Sequence, residues 1–216
     1  MTTAATAATD RHATAAAVTS SSIIVRSLPF VLAAGGGLGV LAAFALTIER
    51  LRLAADPAYV PTCSINPVLS CGSVMKTAQA SVFGFPNPLL GIAAFSVVTT
   101  VGMALLAGAR PRPWFWYGLQ AGVLAGVVFV HWLIYQSLYV IGALCPYCML
   151  VWIATIPVFW YVTLANLHTG RIRPPHGARR LAAGAIRYHT TVIMLWALAV
   201  GGLILRRFWS YWITLV

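Results

Sequence analysis

Hydrophobic residues in this chain come in long blocks, not in the stripes of a soluble helix or the alternation of a half-buried strand. Five blocks are apolar over about the 20 residues that a hydrocarbon core of roughly 30 Å demands of a helix. They lie near Pro29 to Thr47, Pro88 to Ala107, Trp114 to Val140, Cys145 to Leu167 and Thr190 to Leu205. The pattern predicts an all-α integral membrane protein with five transmembrane helices. One long polar connection interrupts it, from about Ile48 to Asn87, holding Pro57, Pro61, Pro67, Pro86 and two cysteines. That segment is where non-helical chemistry can live. Residues 1–22 are rich in Ala and Thr with almost nothing large and apolar to bury, and a disordered tail is expected there. Because this polar stretch precedes a block that is itself long enough to span, the first block reads as a retained helix and not as a cleaved signal peptide.

Composition agrees with the pattern. Of the 216 residues, 60% are hydrophobic and 8% charged, against roughly 25% charged in an ordinary soluble domain. The net charge of +11 does not point to nucleic acid, because the basic residues are spread between the apolar blocks instead of forming one dense patch. They report topology. Nine of them, Arg11, Arg26, Arg110, Arg112, Arg171, Arg173, Arg179, Arg180 and Arg187, fall on one side of the predicted helices. The other side has Arg50, Arg52, Lys76, Arg206 and Arg207, and its short connection Ile141 to Leu144 carries no charge. An excess of Lys and Arg marks the cytoplasmic side. The expected arrangement is a multi-pass protein of the cytoplasmic membrane with its N-terminus inside. Cys63 and Cys71 then sit in an extracytoplasmic loop and Cys145 and Cys148 at the extracytoplasmic end of the fourth helix, so all four thiols share one face.

The cysteines carry the candidate chemistry. In Cys145-Pro146-Tyr147-Cys148 the two-residue spacing lets both sulfurs meet at the first turn of a helix. Pro146 suits the first helical position, where its missing N–H goes unused. Cys145 is then at or near the N-cap, where unpaired N–H groups and the helix dipole favour a thiolate, the species that attacks disulfides. Two blander readings compete. Cys-x-x-Cys is also half of many zinc sites, although zinc ligand pairs usually have two to four intervening residues and the Cys63 to Cys71 gap is wider. Cys63 and Cys71 could also form a plain structural disulfide bracing the loop. The reading favoured here is a relay, with no metal expected. A proline-rich loop that swings over the bundle mouth would collect electrons from soluble protein thiols, and the pair fixed at the helix end would pass them to an acceptor dissolved in the lipid. Such an acceptor is lipophilic and takes two electrons, as a quinone does.

Three motifs together resemble the vitamin K epoxide reductase family, in particular its bacterial disulfide-forming members, over about Val25 to Leu167. They are Cys63 followed eight positions later by Cys71-Gly72-Ser73-Val74, then Ser81-Val82-Phe83-Gly84-Phe85-Pro86-Asn87-Pro88-Leu89-Leu90-Gly91, then Cys145-Pro146-Tyr147-Cys148. The resemblance implies a four-helix bundle around a quinone of the menaquinone, ubiquinone or vitamin K type, capped by the loop and a short half-helix. It implies that Cys148 reduces the quinone, that Cys145 exchanges with Cys71, that Cys63 faces the external partner, and that Asn87 hydrogen-bonds a quinone carbonyl. From its residues alone, Asn87 between two prolines is a cap or turn residue. His131 and Tyr135, four apart on the third helix with Tyr139 beyond, are further candidate quinone contacts; for His131 an interhelical hydrogen bond is the alternative.

The sequence departs from that family in two places. Trp152 stands where the vertebrate enzymes carry a tyrosine as second quinone contact, and an indole donates but cannot accept or ionise in the same way. The chain also reaches Val216 soon after its fifth helix, without the thioredoxin-like domain that many bacterial members carry, so a separate thioredoxin-fold oxidase of the DsbA type is the expected partner. The organisation expected is a tail over 1–22, a four-helix catalytic core over 23–168 with the outer loop at 48–87, and a basic loop, fifth helix and aromatic tail over 169–216. The expected activity is quinone-dependent thiol oxidation, with quinone or quinone-epoxide reduction as the reverse alternative.

Overall fold

The computed structural model describes residues 23–213, so the Ala/Thr-rich tail over 1–22 and the last three residues lie outside the described residues. In chain order the elements are α1, described over Ile23–Ala55, α2 (Cys71–Met75), a 3-10 turn (Ala78–Ser81), α3 (Asn87–Leu106) and α4 (Pro113–Tyr135). They continue with a π-helical extension of α4 (Gln136–Ile141), α5 (Pro146–His168), a 3-10 turn (His176–Ala178), α6 (Arg179–Arg187), α7 (His189–Arg207) and α8 (Trp209–Trp212). Five of these elements are long and apolar enough to span a bilayer, as the block pattern predicts, and the described residues contain no strand. Three of the spans, α3, α4 and α5, carry proline in their first turn, where a missing N–H costs nothing.

One boundary differs from expectation. Ile48 to Ala55, assigned to the loop, remain helical, so Glu49, Arg50 and Arg52 belong to the last turns of α1. Ile-Glu-Arg-Leu-Arg-Leu-Ala-Ala is built from strong helix formers, and the helix stops where Asp56 precedes Pro57, a position that disfavours the α conformation. The connection is therefore 56–86.

α1 is the centre of the bundle, packed between α3 and α5, with α4 on α5. Leu32, Val98, Val101, Leu119 and Val162 meet in its apolar core. Lipid is as apolar as leucine, so membrane helices associate through close packing of small residues. A Cβ on Gly102 would overlap the backbone of Leu32 and Ala33, and one on Gly36 the backbone of Thr99, while Gly37 faces open space. Gly102→Ala is accordingly expected to destabilise the bundle by about 1–3 kcal/mol, the usual cost of overpacking, and Gly37→Ala to be neutral. Equal thermal unfolding of the two variants in detergent would refute this account of the α1–α3 contact.

Candidate active site

The two cysteine pairs meet at one end of the bundle because three local structures converge there. Cys145 is the N-cap of α5 and Pro146 its first helical residue, as the Cys-Pro-Tyr-Cys spacing predicts. Upstream, the π-helical end of α4 closes at Gly142, whose φ of 70° lies in the left-handed region where glycine has no steric cost. The chain then runs beside the Cys63–Cys71 loop in an isolated parallel bridge of Leu69 with Leu144. Leu144 N–H donates to Val68 O at 2.7 Å and Ser70 N–H to Leu144 O at 2.8 Å. On the loop side, Asn66 Oδ1 accepts from the N–H groups of Val68 (3.0 Å) and Leu69 (2.7 Å), which turns the chain between the two cysteines.

The outcome is a packed sulfur array. Cys63 and Cys71 are joined in a disulfide, and Cys145 and Cys148 are free thiols. Cys71 Sγ lies 3.0 Å from Cys145 Sγ, and both residues are essentially buried, at 0% and 1% exposure. No swing of the loop is needed for this contact, since the bridge already seats the loop over the helix end. The hydrogen bond from the Cys148 thiol, joined by the N–H groups of Cys148 and Tyr147, holds the Cys145 thiol below its ordinary range against the opposing effect of burial. The sulfurs of Cys63, Cys71 and Cys145 all lie within 4.8 Å of one another, with Cys63 and Cys71 joined to each other.

The segment leading to Cys63 is tied to α1 by a carboxylate. Glu49, 5% exposed, accepts from Thr62 Oγ1 (2.8 Å), Thr62 N–H (3.2 Å) and Tyr59 Oη (3.1 Å). A cavity of about 470 Å³ opens beneath the array, within the size range of small-molecule sites. Its wall is overwhelmingly apolar, and Cys145, Cys148, Arg50, Gln79, Asn87 and Ser137 are among its lining residues.

The predicted contact residues divide. Asn87 and Trp152 line the cavity; His131 and Tyr135 do not. Asn87 behaves as the turn residue its flanking prolines suggest, donating to Gln79 O at 2.7 Å and accepting from Val82 N–H at 3.1 Å. His131 makes the interhelical bond weighed against ligand contact: Trp196 Nε1 of α7 donates to its Nε2 at 3.0 Å while Nδ1 bonds Val127 O at 2.8 Å. Tyr135 is exposed and rests against Tyr139, the interfacial aromatic arrangement. Sequence reading missed Glu49, Gln79 and Ser137. For Glu49 a signal was present, since it is one of only three acidic residues and stands at the end of an apolar block, where an ionisable side chain is costly without a partner.

A disulfide touching a thiol pair at the end of an apolar, cavity-bearing helix bundle defines a membrane thiol oxidoreductase. Residues 30–163 match the vitamin K epoxide reductase family, and the chain belongs to that family. Its activity is therefore quinone-linked thiol oxidoreduction in a multi-pass membrane protein. No curated protein matches the chain.

Proposed function

We propose that this protein is a quinone-dependent thiol oxidase that makes disulfides outside the cytoplasmic membrane by oxidising a separate thioredoxin-fold protein. The 3.0 Å approach of Cys71 Sγ to Cys145 Sγ carries the reading, because disulfide exchange requires a thiolate and a disulfide sulfur in contact. The partner's thiolate attacks Cys63 Sγ, breaking the Cys63–Cys71 bond, and its second thiol resolves the mixed disulfide. Cys71 then attacks Cys145 Sγ of an oxidised Cys145–Cys148 pair and releases the Cys148 thiolate. Cys63 attacks Cys71 Sγ, which restores the Cys63–Cys71 disulfide and leaves Cys145 and Cys148 reduced, the arrangement described above.

A quinone supplies a lipid-soluble acceptor of two electrons. The apolar wall and volume of the cavity fit its ring, with both thiols of the second pair on that wall. Cys148 delivers the electron pair while Cys145 closes the disulfide; two electrons and two protons leave the pair, the count that converts a quinone to its hydroquinone. Trp152, buried on the same wall, would donate its indole N–H to a quinone carbonyl. Asn87 holds the cap turn through Gln79 O with one amide N–H, and its second N–H would be the donor to a quinone carbonyl. The nine basic residues of the opposite face support a cysteine end that faces away from the cytoplasm.

Purified protein in liposomes containing a membrane quinone should bleach the quinone when given a reduced thioredoxin-fold oxidase from outside. Loss of partner thiols should be stoichiometric with hydroquinone formed. Absence of hydroquinone, or membrane-impermeant labelling of reduced Cys63 only from the cytoplasmic side, would overturn the reading.

A further inference from the structure

The fifth span is poorly embedded. Among the residues of α7 only His189 is buried, and many of its apolar side chains, Met194, Leu195 and Leu198 among them, are exposed. Yet its cysteine end is fastened closely to the catalytic cap. Arg207 Nε–H donates to Leu138 O at 2.8 Å, a carbonyl of the π-helical turn Gln136–Ile141. The guanidinium also lies 3.9 Å from where a Cβ of Gly142 would stand. The next residue, Phe208, is 7% exposed and packs in one cluster with Leu138, Leu144, Val68 and Trp152. Every one of those neighbours belongs to the path that sets the Cys145 sulfur. Leu138 lies in the π turn, Leu144 and Val68 in the bridge to the loop, and Trp152 one helical turn beyond Cys148. Helix ends leave carbonyls without intrahelical partners, and π turns are rare single-turn features that recur at functional sites.

We infer that the Arg207–Phe208 end of the fifth helix is a positioning element that holds the π turn and the Leu69–Leu144 bridge in the register that brings Cys145 Sγ to Cys71 Sγ. Arg207 acts through Leu138, and Phe208 through the cluster of Leu138 and Leu144, against which Cys148 also packs. This inference rests on the relay proposed above, but it concerns sulfur geometry and can be read without quinone or partner.

The test uses the full chain with Cys63→Ala and Cys148→Ala, so that Cys71 and Cys145 are the remaining thiols. A mild thiol oxidant, taking up two electrons and two protons, joins them, and the rate of crosslinking reports their approach. Adding Arg207→Met should slow the crosslink about tenfold, since small misplacements of reacting groups cost rate steeply. Phe208→Ala should do the same, Arg207→Lys should recover part of the rate, and Arg206→Met, on an exposed neighbour, should leave it unchanged. The expected pattern includes an unchanged thermal transition for Arg207→Met. An unchanged crosslinking rate in both the Arg207→Met and Phe208→Ala proteins overturns the inference, as does equal slowing by Arg206→Met. Failure of the relay itself shows differently: the double-cysteine chain with Arg207 and Phe208 intact crosslinks at the expected rate, while the unmodified four-cysteine chain reduces no quinone.

Discussion

Alanine at Cys148 is expected to abolish quinone reduction by the partner's thiols, a loss of about 10³-fold or more on the scale seen when an essential nucleophile is removed. The geometry predicts more than inactivity. With Cys148 gone, Cys145 keeps its 3.0 Å contact with Cys71, so attack on Cys71 Sγ still forms a Cys71–Cys145 disulfide and frees Cys63. The variant should therefore partition between two linkages, Cys63–Cys71 and Cys71–Cys145, separable by non-reducing digestion and mass spectrometry. Alanine at Cys145 should be equally inactive but show no such crosslink, because no contact of 3.0 Å replaces the missing sulfur. Full turnover in either protein would remove the second pair from the electron path. A Cys148→Ala protein carrying no trace of the Cys71–Cys145 linkage would break the order of exchange while leaving the pair essential.

These features were unequally visible in the sequence. The spans were legible because bilayer thickness imposes a length that any apolar block either meets or fails, and the α5 start was legible because proline at the first helical position has a local cause. What escaped depends on contacts between distant residues. The apolar pattern ends at Thr47 because Glu49, Arg50 and Arg52 have the character of loop residues. In the fold, Glu49 finds its partners 10 and 13 residues further on, in Tyr59 and Thr62, and the buried charge becomes tolerable within a helix. The π turn Gln136–Ile141 has the composition of the α-helix it extends, so no pattern announced it. His131 stands out as polar in an apolar setting, but its partner Trp196 belongs to a span 65 residues away whose docking hydropathy does not encode. The same limit applies to the fifth helix, whose Arg207 and Phe208 meet the cap only in the fold.

The carboxylate that was missed leads to the second large effect. Alanine at Glu49 removes the acceptor for Thr62 Oγ1, Thr62 N–H and Tyr59 Oη together, and hydrogen bonds to a charged group are worth roughly 1.5–3 kcal/mol each. Thr62 immediately precedes Cys63, so the loss is felt where the partner's thiolate must strike. Partner-driven oxidation is expected to fall by about ten- to a hundredfold, the scale of a misplaced reacting group, while a small membrane-permeant dithiol that reduces the Cys145–Cys148 pair directly should still drive quinone reduction at the unaltered rate. Glu49→Gln keeps Oε1 as an acceptor but opposes its amide to the other donors, and should fall between alanine and the native residue. Arg52→Ala should change little, because the guanidinium is 4.0 Å from Glu49 with its side chain 58% exposed, the kind of ion pair worth about 0–1 kcal/mol. Equal loss of the partner-driven and small-dithiol rates in Glu49→Ala would show that the carboxylate supports the whole fold and not the loop. An unaltered partner-driven rate would show that the bridge of Leu69 with Leu144 is enough to seat Cys63 without it.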